Sequence, residues 1–99
     1  MFAYDLDNNK FWFGVNGTWV ASGDPAAGDN TLGALASGTY LPIICNHSSG
    51  TASSSSLNFG NPAYANSSSA TDGAGYGDFE YAPPSGFYAL CTKNVATYG

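Results

Sequence analysis

The chain has 99 residues, 43% of them hydrophobic and 15% aromatic, with only 9% charged and a formal net charge of −5. This length gives one domain with a modest core, and the low charge leaves a neutral surface of Ser, Thr, Asn and Gly, residues that build turns in place of long helices. Lys10 and Lys93 are the only basic side chains apart from His47, and arginine is absent, which argues against nucleic acid and anionic membranes as partners, since both need clustered cations.

No apolar run nears the roughly 20 residues of a bilayer span, and Met1-Phe2-Ala3-Tyr4-Asp5 lacks the basic start of a signal peptide. Turn residues recur about every ten positions between short apolar stretches, the spacing of an all-β sandwich or barrel. Phe2 to Leu6 reads as a strand that turns through Asp7-Asn8-Asn9. Lys10 to Val15 and Thr18 to Ala21 then flank Asn16-Gly17, the dipeptide that best accepts positive φ at both centres of a type I′ turn. A two-residue hairpin follows, with Val15 opposite Thr18, Gly14 opposite Trp19, Phe13 opposite Val20 and Trp12 opposite Ala21. The three segments form a meander whose one face carries Trp12, Gly14 and Trp19 and whose other face carries Phe13, Val15 and Val20. On this pattern the Trp19 indole covers the Gly14 backbone.

Ser22 to Ser37 is expected to be loop, broken by Gly23-Asp24-Pro25 and Gly28-Asp29-Asn30. Thr39 to Cys45 reads as a strand, at an edge or bulged because Pro42 cannot donate to a ladder. Asn46 to Ser56 reads as a flexible hairpin connection, and Leu57-Asn58-Phe59 resumes an alternating pattern. Pro62 to Gly77 is a second low-complexity loop bearing Tyr64 and Tyr76. It leads to a strand at Asp78-Phe79-Glu80-Tyr81 that Pro83-Pro84 stops. Phe87 to Cys91, apolar on both faces, reads as a central last strand. Cys45 and Cys91 are expected to be buried, reduced thiols acting as small apolar side chains, since spacing alone does not bring their Cα atoms within the roughly 7 Å that a disulfide needs.

Leu6-Asp7, Lys10-Phe11-Trp12-Phe13-Gly14, Asn16-Gly17-Thr18-Trp19, Tyr40-Leu41-Pro42, Leu57-Asn58-Phe59-Gly60 and the run from Phe79 through Pro83-Pro84-Ser85-Gly86 to Thr92 together resemble the C-terminal part of a SPRY-like, concanavalin-type domain of bacteriophage structural and tail-associated proteins. The resemblance covers Ala3 to Asn94. It implies an antiparallel two-sheet β-sandwich, partial or completed by a partner, with loops that engage protein or glycan and with neither cofactor nor catalysis. A complete domain of that kind has further strands before the position of Met1. A short homologue, a part of a longer product and a half completed by another chain all remain open. Exposed core faces and strand edges drive association, so a stable solitary monomer is not expected.

Asp78 and Glu80 share a strand face, as paired glycosidase carboxylates would, but a third alternating acid is lacking, since Tyr76 and Ala82 occupy the flanking positions; a solvated acidic face is expected. His47 beside Ser48 has no orienting third group and makes no nucleophile. Asp5-Leu6-Asp7-Asn8-Asn9 alternates oxygen ligands as calcium loops do, but Lys10 and Asn16 stand where glycine and glutamate are required, so an Asp/Asn-rich turn is expected and no metal. The N-x-Ser/Thr strings at Asn16, Asn46 and Asn66 are at chance frequency for this composition.

Two roles follow. The first is a virion structural or decoration module, located in the assembled particle, that contacts other virion subunits or itself. The second is a carbohydrate-binding receptor module that stacks a surface glycan on Trp19, Tyr64 or Tyr76. Clustering of these rings in one concave patch favours the second role, and their burial in subunit contacts favours the first.

Overall fold

The structure, a computed structural model, describes residues 1–45, 50 and 54–99. The N-terminal meander forms as its residues dictate: β1 (Phe2–Asp5), β2 (Lys10–Val15) and β3 (Thr18–Trp19) make one antiparallel sheet in the order β1-β2-β3. Phe2 pairs with Phe13 and Tyr4 with Phe11 across the first two strands, and Gly14 pairs with Trp19 and Val15 with Thr18 across the hairpin. Asn16 and Gly17 both take positive φ, 48° and 80°, the geometry of a type I′ turn. The hairpin is shorter than expected, because the chain leaves the ladder at Val20–Ser22, a tight turn in which Ala21 and Ser22 are also at positive φ. Val20 and Ala21 therefore do not continue opposite Phe13 and Trp12.

The free edge of β2 is covered by the loop after β3. The Phe11 amide donates to Thr31 Oγ1 at 3.2 Å, and the Phe11 carbonyl accepts from the same hydroxyl at 2.8 Å and from the Leu32 amide at 3.1 Å. Lys10 bridges to Ala34, and the Leu35 amide reaches the Asn9 carbonyl at 2.7 Å. A loop side chain and two amides thus satisfy backbone groups that a fourth strand would otherwise take.

The expected β-sandwich is not formed. Beyond the meander the described chain contains isolated bridges and one short helix, α1 (Thr92–Tyr98). Thr39 to Cys45 and Leu57 to Phe59 are irregular, and Asp78 to Tyr81 keeps a single bridge, Phe79 to Ala70. Competing side chains explain this. Ser68 Oγ donates to the carbonyls of Phe79 and Glu80, and the Asn58 and Asn66 amides both donate to the Asp78 carbonyl, at 2.8 and 2.7 Å. At the expected last strand, the Ala89 amide goes to Asp72 Oδ2 at 2.8 Å, and the Ala89 carbonyl accepts from Asn94 Nδ2 at 2.9 Å and from the Cys91 amide at 2.8 Å. With these groups engaged locally, no ladder is left to build a second sheet. The two thiols are free, as expected, but they are not buried as expected: Cys45 is exposed and Cys91 half-buried. The hairpin connection read at Asn46 to Ser56, together with His47, Ser48 and Asn46, lies largely or wholly outside the described residues.

The core is small. Among the described residues, Ala3, Trp12 and Ala89 are the buried apolar side chains, joined by Pro25, and Trp12 alone among the large ones is fully enclosed, at 1% exposure. Its Nε1 donates to the Asp29 carbonyl at 2.7 Å, and its ring meets Phe87 edge-on at 5.8 Å. Total accessible surface is 6987 Å², about 1,700 Å² more than the roughly 5,300 Å² of a compact monomer of this mass. The radius of gyration, 14.3 Å, likewise exceeds the roughly 12.6 Å expected for this length.

Candidate apolar interaction groove

An open groove of about 1170 Å³ runs between the meander and the later segments of the chain. Its walls come from β1, from Trp19 at the end of β3, from Tyr40 to Pro42 with Ile44, from Ser56 to Phe59, from Phe79 to Pro84, from Gly86 to Leu90 and from α1. Leu41 is 72% exposed and Leu90 61%, and Tyr81, Tyr88, Val95 and Tyr98 are all exposed. Tyr88 and Tyr98 stack at 4.0 Å between centroids with planes 13° apart, tying α1 to the wall beside it.

A buried polar clamp fixes that wall. Asp72 accepts the amides of Ala74 and Tyr76 on Oδ1, both at 2.9 Å, and on Oδ2 the Ala89 amide at 2.8 Å and Asn94 Nδ2 at 2.7 Å. Burial alone raises the Asp72 pKa, but the amides of Ala89 and Tyr76, the Asn94 side chain and the Ala74 amide outweigh it, so the carboxyl is held below the usual aspartate range. Asn94, 3% exposed, binds two acceptors through Nδ2, which fixes its orientation and leaves Oδ1 buried without a donor. Asp72 was missed in the sequence because its partners are mostly backbone amides. The available signal was Asp72-Gly73-Ala74-Gly75, an Asp opening a glycine-rich turn. A smaller apolar cavity of about 300 Å³ lies next to the clamped segment, between Phe59, Gly77, Leu90 and Cys91.

The three aromatic residues singled out for ligand contact are not brought together. Trp19 is half-buried and lines the groove, and its Cε3 would lie 3.1 Å from a Cβ added to Gly14, so the indole does cover that glycine. Tyr64, 77% exposed, and Tyr76 stand outside the groove. The Tyr76 backbone serves the Asp72 turn instead, through its amide and through its carbonyl, which accepts the Asp72 amide at 2.9 Å.

Three further acids have local partners. Glu80 accepts the Ser67 amide at 2.7 Å and the Ser67 hydroxyl, and these bonds, hydroxyl first, lower its pKa. Asp78 Oδ1 accepts Asn66 Nδ2 at 3.1 Å. In the Asp5 to Asn9 turn, Asp5 accepts the Asn8 side chain at 2.8 Å and the Asn8 amide at 3.0 Å, and both lower the Asp5 pKa. That carboxylate closes an Asx-type turn. Among the described residues, no cluster of His, Cys, Asp and Glu could hold a metal ion, and no helix is long and apolar enough to cross a membrane. Compared with known protein families, with curated proteins and with solved structures, the chain has no match.

Proposed function

We propose that this chain is a non-catalytic interaction module that works inside an assembly, of the kind the resemblance to phage structural and tail-associated proteins implies, contacting neighbouring subunits in the particle. The observation that supports this reading is the exposed apolar groove. Leu41, Leu90, Tyr81, Tyr88, Val95 and Tyr98 stay exposed along it, and the chain as a whole exposes about 1,700 Å² more surface than a compact monomer of its mass, surface that association with a partner would cover. The Asp5, Asp72, Asp78 and Glu80 carboxylates accept local hydrogen bonds, and Glu80 and Asp5, held ionised, are poor proton donors near neutral pH.

The glycan-binding role draws less support, because Trp19, Tyr64 and Tyr76 do not converge on one concave patch. Intact mass spectrometry of the native particle, with peptide mapping, tests the proposal. The chain is expected in fixed stoichiometry with capsid or tail subunits, and a free, monodisperse 10.2 kDa species would overturn it.

A further inference from the structure

We infer that the groove takes a cationic, apolar segment of a different protein in preference to a second copy of this chain; the inference rests on the interaction-module reading above. Charge selects the partner. The side-chain acids lining the groove are Asp5, Asp7 and Glu80, and no lysine lines it. Hydrogen bonds from Asn8 and Ser67 keep Asp5 and Glu80 ionised, so the groove holds its negative charge across the neutral range.

A second copy is a poor match. It carries the same net −5 and offers only two lysines, one of which, Lys10, already donates to the Gly28 carbonyl at 2.8 Å. A segment with Leu or Phe anchors spaced between Lys or Arg meets both requirements: apolar groups for Leu41, Leu90 and Tyr81 to cover, and cations for the acidic rim.

The test uses the full chain and three synthetic amphipathic peptides with identical Leu and Phe positions, bearing Lys, Ser or Glu at the others, with binding read by fluorescence anisotropy. The lysine peptide is expected to bind about tenfold more tightly than the serine peptide at low salt, the worth of two or three exposed ion pairs. That advantage should shrink in Asp7→Asn and with added salt, and Leu41→Ser should weaken all binding while leaving the far-UV circular dichroism unchanged, because Leu41 is mostly exposed. Equal binding of the lysine and glutamate peptides would overturn the charge-based inference and leave the interaction reading standing. Self-association that excludes every peptide would overturn it in favour of a second copy. A monomer that binds none of them would overturn both.

Discussion

Replacing Trp12 by phenylalanine and by alanine measures how far one side chain carries this small core. Phenylalanine keeps the edge-on contact with Phe87 but removes the bond from Nε1 to the Asp29 carbonyl, about 1 kcal/mol net. It also removes roughly 40 Å² of buried ring, worth about another 1 kcal/mol at ~25 cal/mol per Å². The phenylalanine variant should therefore lose ~2 kcal/mol, and the alanine variant ~3–5 kcal/mol once the cavity is included. A chain of this length has roughly 5–15 kcal/mol in all, and with so little else buried the lower end applies, so the alanine variant should be largely unfolded without denaturant. Urea unfolding followed by circular dichroism gives both values. An alanine variant that unfolds cooperatively within ~1 kcal/mol of the parent would refute the assignment of Trp12 as the anchor of the core.

Further expectations concern the clamp, the turn, the covered edge and the thiols. The Asp72 carboxyl has a folded pKa below its unfolded one, so its contribution is fully present above the unfolded value near about 4. It is lost as pH falls through the still lower folded value, and acid titration should release α1, seen as loss of the Tyr88–Tyr98 stack in near-UV circular dichroism. Asn94→Asp places a second carboxylate against Asp72 Oδ2 and should cost at least ~3 kcal/mol in thermal unfolding at neutral pH. Gly17→Ala forces alanine to φ 80° with its Cβ 2.9 Å from the Tyr81 ring, and should lower stability by ~1–2 kcal/mol in urea titration. Thr31→Val removes the hydroxyl that serves both backbone groups of Phe11 and should cost ~1–3 kcal/mol with faster amide exchange in β2. Both thiols should be free in a mass-resolved alkylation experiment, with exposed Cys45 modified before half-buried Cys91.

What could be read from the residues was local. Asn16-Gly17 fixes its own turn, and the alternation of Trp12 and Gly14 with Phe13 and Val15 fixes which face is covered, so the meander and the Trp19 cover over Gly14 follow from nearest neighbours. The later strands depended on partners far along the chain. An apolar alternation such as Phe87 to Cys91 does not show that Asp72 and Asn94, distant in sequence, will take its backbone groups. Nor does Phe79 to Tyr81 show that Ser67 and Ser68 will occupy the positions of a neighbouring strand. α1 escaped notice because Thr92–Tyr98 is short, contains two threonines and an asparagine, and starts at Cys91 without a side-chain cap. The groove was legible only as an expectation of exposed apolar faces. Its walls come from segments whose proximity no periodicity encodes.

The loop that covers the second edge of β2 also governs how safely this protein can fluctuate. Lys10–Val15 is the most aromatic stretch of the chain and carries a single charge, the profile of a segment that stacks into cross-β assemblies when its edge is free. Between Phe11 and Leu35 that edge is held by one threonine hydroxyl and two loop amides, the kind of loop contact that opens locally without global unfolding. Each opening presents a bare aromatic strand to any other copy nearby. A substitution that tightens this loop is therefore expected to slow aggregation at high concentration, read by light scattering, even where it leaves the unfolding midpoint unchanged.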